Sequence, residues 1–71
     1  MRIAYYDKHR KTEDREVIVE ADTLDGLIQG LKLGTAKKKA IREAMTEGFG
    51  LPELKLYLSI EMELSVIETV A

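Results

Sequence analysis

Leu54-Lys55-Leu56-Tyr57-Leu58-Ser59-Ile60-Glu61-Met62-Glu63-Leu64-Ser65-Val66 carries the most regular hydrophobic pattern in the chain. Its even positions are all apolar, whereas the odd positions are Lys55, Tyr57, Ser59, Glu61, Glu63 and Ser65. An alternation of period two puts one set of side chains on each face of a β-strand; a helix repeats at 3.6. Wound as a helix, these apolar residues would be spread around all sides and leave no polar face for water. The pattern therefore predicts a long C-terminal strand opened by Pro52, although Leu, Glu, Lys and Met are good helix formers and β-branched residues are few there. At Val66 and Ile67 two apolar residues sit together, and a bulge or strand end is expected.

Such a strand would run about 43 Å. A chain of 71 residues should have a radius of gyration near 11 Å and a diameter of roughly 30 Å. The strand outruns its own domain, which predicts a second copy covering its far end, with Leu58, Ile60, Met62, Leu64 and Val66 as the homodimer interface. Size points the same way, since a single core in so short a chain leaves little surplus stability. There is no Cys, so disulfides and thiolate metal sites are excluded as the staple and oligomerisation remains.

Toward the N-terminus, Arg2–Asp7 and Glu16–Ala21 are short β-rich runs separated by the polar stretch Lys8–Arg15, and they read as a hairpin with a charged tip. From Thr23 to Gly48 the period changes. Leu24, Leu27, Ile28 and Leu31, then Ile41, Ala44 and Met45, recur at three and four, which is helical spacing. Thr23 is the expected N-cap, Asp25 favours the helix dipole, and Gly48 with Gly50 supplies a left-handed stop. Gly34 followed by Thr35 divides the region into helices over about 23–33 and 36–47. The alternative is a third short strand over Leu27–Leu33, because Gly26, Gly30 and Gly34 are poor helix material. On a helix, glycines spaced by four leave a groove into which another backbone can pack. The sum is an α+β domain of order ββααβ: a small antiparallel sheet, made of the hairpin and the long last strand, with one or two helices on one face.

The apolar fraction of 45% and the charged fraction of 34% fit a folded soluble protein, and a net charge of -2 argues for neither a polyanion binder nor a strongly acidic mimic. No apolar run approaches the roughly 20 residues of a membrane span, and Met1–Asp7 has no signal-peptide core. The expectation is a cytoplasmic chain without a membrane partner.

Two basic clusters stand out. Lys8, His9, Arg10 and Lys11 face Glu13, Asp14 and Glu16 across the hairpin tip, the composition of a solvated turn with cross-strand pairs. Thr35, Lys37, Lys38, Lys39 and Arg42 lie at a helix start, where cations oppose the dipole. That arrangement suggests an anion or an acidic partner at the free backbone N–H groups, against the plainer reading of solvent-facing lysines. It is not a P-loop, which needs its Lys before the Ser or Thr. Catalytic signals are nearly absent. His9 is the only His and lies in a charged turn; Glu61 and Glu63 alternate with serines as a solvent face does; Ser59 and Ser65 lack a nucleophile elbow. No cofactor or metal motif is found. Tyr5 should anchor the core, and Tyr6 should pack across the sheet on Tyr57.

The order of hairpin, Gly-containing connector, helix with Ala36, Ala40 and Ala44 on one side, and a late strand after Pro52 resembles, at the level of fold, small antitoxins of the HicB kind. The likeness covers the middle of the chain; the Pro-Gly turn and the Asp-Thr helix entry of that family are not in this sequence. The expected function is a non-enzymatic protein-interaction or regulatory module of bacterial or phage type, acting as a homodimer. The alternative is an antitoxin-like or regulatory nucleic-acid binder using Lys37, Lys38, Lys39 and Arg42. The interleaved acids count against it.

Overall fold

The computed structural model describes residues 1–11 and 13–71; Thr12, within the expected hairpin tip, lies outside the described residues. The element order is β1 (Arg2–Tyr6), β2 (Glu16–Glu20), α1 (Leu24–Gly30), α2 (Thr35–Ala44), α3 (Leu51–Ile60) and β3 (Ser65–Val70). The architecture is α+β as expected, with three helices among the described residues rather than one or two. The radius of gyration is 11.3 Å and the principal extents are 36 × 23 × 18 Å.

The sheet is antiparallel with strand order β2-β1-β3. β1 is central, and Ile3, Ala4 and Tyr5 are all buried, as a strand flanked on both edges requires. Period two then sorts the sheet. Ile3, Tyr5, Val17 and Val19 join Leu27, Ile28, Leu31, Ile41, Leu54, Leu58 and Leu64 in the core beneath the helices, while Tyr6 and Ile18 point to the open face. β3 is rich in Val, Ile and Thr, as pleated surfaces favour. It pairs Tyr5 with Val66 and Ala4 with Glu68, so Ile67 is the extra residue of a bulge. That irregularity falls where adjacent apolar residues announced it.

The thirteen-residue strand is not formed. Residues 51–60 are the helix α3, and only Ser65 and Val66 of the quoted stretch belong to a strand. Pro52 opens the helix rather than a strand, at a position where its missing N–H costs nothing. Leu51, Leu54 and Leu58 turn inward at helical spacing and Glu53 sits in the first turn. The helix is closed by Glu63 in the left-handed region, φ 55°, and by the Leu64 N–H donating to the Leu58 carbonyl at 3.0 Å. A helix here leaves no fully polar face for water; α3 forms nonetheless, as the local propensity of Leu, Lys and Glu favours, and leaves Leu56 and Ile60 exposed on its outward side. A strand-sharing dimer therefore has no long strand to share.

The middle region keeps its helical character with shifted bounds. Thr23 caps α1, its Oγ1 accepting from the Gly26 N–H at 3.1 Å. α1 ends at Gly30, so neither the helix to residue 33 nor the third strand over Leu27–Leu33 is formed. The cap of α2 is Gly34, with Thr35 already helical. Gly48, φ 86°, serves the turn into α3 and not the stop of α2, which ends at Ala44. Gly26 and Gly30 do form a packing groove: a Cβ on Gly30 would lie 2.6 Å from Val19 Cγ1, and one on Gly26 would lie 2.9 Å from Ala21 Cβ. Gly34 has open space and takes no part.

Candidate functional site

The core holds α3 by Leu54 and Leu58, and the helical repeat of about 3.6 residues per turn then fixes what faces away from it. Pro52, Leu56 and Ile60 form one row at i, i+4 spacing; Glu53, Tyr57 and Glu61 form the adjacent row. Leu56 and Ile60 are 58% and 68% exposed, although both are large and apolar. Tyr57 is half-buried and packs partly against the core. Between the rows runs a shallow groove lined by Glu53, Leu56, Tyr57, Ile60 and Glu61. A helix that is apolar on opposite sides wants cover on both. Here the core covers one side, and completing the burial of Leu56 and Ile60 would release about 2 to 4 kcal/mol before the costs of association.

Of the residues expected at a dimer interface, Leu58 and Leu64 are buried in the chain's own core, and Met62 and Val66 are half-buried against it. Ile60 alone of these five is exposed. Leu56 and Tyr57, the other apolar walls of the groove, were absent from that expectation. The signal was present: Pro52 and Glu53 at a helix start place Leu56 and Ile60 opposite Leu54 and Leu58.

At the basic helix start, two of the cations have partners within the chain. Lys38 Nζ donates to the Gln29 carbonyl at 2.6 Å, and Arg42 Nε lies 3.6 Å from Asp25 Oδ1. Both cations thus tie α2 to α1 and neutralise the C-terminal end and an acid of that helix. Thr35, Lys37 and Lys39 are exposed, and the Gly34 cap brings no side chain to the helix N-terminus. The cluster expected to act together is divided between a packing role and open solvent.

At the hairpin tip, Asp7 is buried and its Oδ1 accepts from the His9 N–H at 2.9 Å, while Arg15 Nε donates to the Arg10 carbonyl at 3.2 Å. His9 is exposed. Tyr6 and Tyr57 lie on opposite sides of the sheet and do not pack together, since Tyr6 faces outward and Tyr57 belongs to the helical layer. Tyr5 anchors the core as expected; its hydroxyl accepts from the Lys32 N–H at 3.0 Å. Burial pushes its pKa up, against the lowering effect of that hydrogen bond. On the outer sheet face Arg2 bridges the two edge strands, reaching Glu20 at 3.6 Å and Glu68 at 3.1 Å. No helix among the described residues is long and apolar enough to cross a membrane.

No protein-family model, curated protein or solved structure matches the chain.

Proposed function

We propose that this chain is a small, non-enzymatic protein-interaction module that docks a partner protein through the outward side of α3. One observation carries the reading: Leu56 and Ile60 stand directly opposite the core contacts Leu54 and Leu58, so the helix is built to be covered twice and the chain covers it once. Scattered single apolar residues are ordinary on a surface. Two in one row beside a half-buried Tyr, lining a common groove, are the composition of an interface centre. The nucleic-acid alternative is weaker, because Lys38 and Arg42 already have partners within the chain.

The experiment is a comparison of wild type with the Leu56→Asp, Ile60→Asp double variant. Both positions point to solvent, so the variant should keep the wild-type circular dichroism and melting midpoint. A partner captured from the native host by the wild type, identified by mass spectrometry and purified, should bind the variant at least tenfold more weakly, since losing one good apolar anchor costs about 2 kcal/mol. Equal binding by a folded variant refutes the docking site.

A further inference from the structure

The groove on α3 also carries information about what fills it, and we infer that its occupant is a cationic amphipathic helix. The inference rests on the docking reading above and adds the shape and charge of the partner. Shape comes first. The groove lies between two parallel i, i+4 rows, Leu56 with Ile60 and Glu53 with Tyr57 and Glu61, and such a groove accepts the i, i+4 ridge of another helix crossing at about -50°. Ten residues of α3 present only about 15 Å of helix. That footprint suits one helix laid across the row, with an apolar side chain entering between Leu56 and Ile60 and another resting on the Tyr57 ring.

Charge comes second. The row beside the apolar one ends in a carboxylate at each end, Glu53 and Glu61, and neither forms a salt bridge among the described residues. Glu20, Asp25 and Glu68 have cationic partners, while Glu43 and Glu47, exposed on other parts of the chain, form no salt bridge among the described residues either; what sets Glu53 and Glu61 apart is their place at the two ends of an apolar groove. A partner with Lys or Arg flanking its apolar ridge would complete both ends of the groove, whereas acidic flanks would be repelled twice. The same rule counts against a second copy of this chain. An antiparallel two-fold pairing of α3 on α3 sets the Glu53 of one protomer beside the Glu61 of the other, acid against acid.

The test uses a display library of helical peptides of roughly 16 residues, about 24 Å long, with Leu fixed at one i, i+4 row and the flanking positions randomised among Lys, Arg, Asp, Glu, Ser and Gln. It is panned in parallel on the whole chain, on Leu56→Asp with Ile60→Asp, and on Glu53→Lys with Glu61→Lys. Peptides enriched by the wild type should carry Lys and Arg at the flanks, and those enriched by the charge-reversed protein should carry Asp and Glu. A resynthesised basic winner should lose about tenfold in affinity on the double charge reversal and weaken as salt rises. Winners with neutral or acidic flanks that still need Leu56 and Ile60 overturn the cationic partner and leave the docking site standing. Winners that bind the Leu56→Asp, Ile60→Asp protein equally well remove the docking site itself. Sedimentation of the wild type as a dimer that this same double variant dissociates would make a second copy the occupant and likewise overturn the inference.

Discussion

Leu58→Ala and Ile60→Ala, two residues apart in one apolar alternation, should have opposite fates. Leu58 is fully buried at the centre of the core, among side chains from the sheet and the helices. Truncating it leaves a cavity and should cost about 2 to 5 kcal/mol. A chain of 71 residues has a total stability of about 4 to 11 kcal/mol, so the loss is a large share of the whole. Ile60, at 68% exposure, has little burial to lose, and Ala is the better helix former by several tenths of a kcal/mol; the net change should be near zero. Leu54→Ala should follow Leu58, and Leu56→Ala should follow Ile60. Urea denaturation of the isolated chain at low micromolar concentration, read by far-ultraviolet circular dichroism because there is no Trp, separates the two groups. With a slope of about 1 kcal/mol/M, Leu58→Ala should lower the midpoint by roughly 2 M or more, and Ile60→Ala should leave it within about 0.5 M. Comparable losses at Leu54, Leu56, Leu58 and Ile60 would falsify the two-sided helix and restore a strand with all four residues on one buried face.

Gly30→Ala should destabilise by about 1 kcal/mol, the net of a clash costing about 1 to 3 kcal/mol and a propensity gain of up to about 1 kcal/mol; the new Cβ would stand 2.6 Å from Val19 Cγ1, on a β-branched side chain that cannot rotate away. Val19→Ala in the same chain should recover part of that loss, whereas Gly34→Ala, with open space around it, should stay within about 0.5 kcal/mol. Alkaline unfolding should begin with Tyr5. Burial raises its folded pKa above 10.0, so the unfolded chain releases that proton first as pH rises; the stabilisation is complete below the unfolded pKa and is lost as pH climbs through the folded one. Denaturation midpoints measured from pH 8 upward should therefore fall above about pH 10, and Tyr5→Phe should flatten that fall; an unchanged slope in Tyr5→Phe would assign it to other groups.

Much of the frame is legible in the residues themselves, because it depends on chemistry within a few positions. Glu16–Glu20 alternates cleanly and Arg2–Tyr6 is a short β-rich run followed by polar residues, and both are strands; Thr23 has an oxygen within reach of the Gly26 N–H and caps a helix; the adjacent Val66 and Ile67 cannot both face the core of a regular strand, and a bulge absorbs the second. Gly26 and Gly30, without side chains, let α1 approach β2. The α+β class and the inward positions Leu27, Ile28, Leu31 and Ile41 follow from the same spacing arguments. The division of Thr35, Lys37, Lys38, Lys39 and Arg42 does not, since Gln29 and Asp25 become neighbours of Lys38 and Arg42 only when α2 folds back beside α1.

The stretch from Leu54 to Val66 marks the limit. Its alternation records where apolar side chains stand along the chain and carries no information on whether an outward one has cover. A strand with one buried face and a helix with two apolar sides can share a single pattern over ten residues. Pro52, Glu53 and the scarcity of β-branched residues favoured the helix locally, but only the packing of Leu54 and Leu58 against the sheet, with Glu63 turning the chain back into β3, made that preference decisive. Tertiary contact thereby did what pattern could not: it moved Leu58 and Leu64 from an expected interface into the core and left Leu56 and Ile60 facing water.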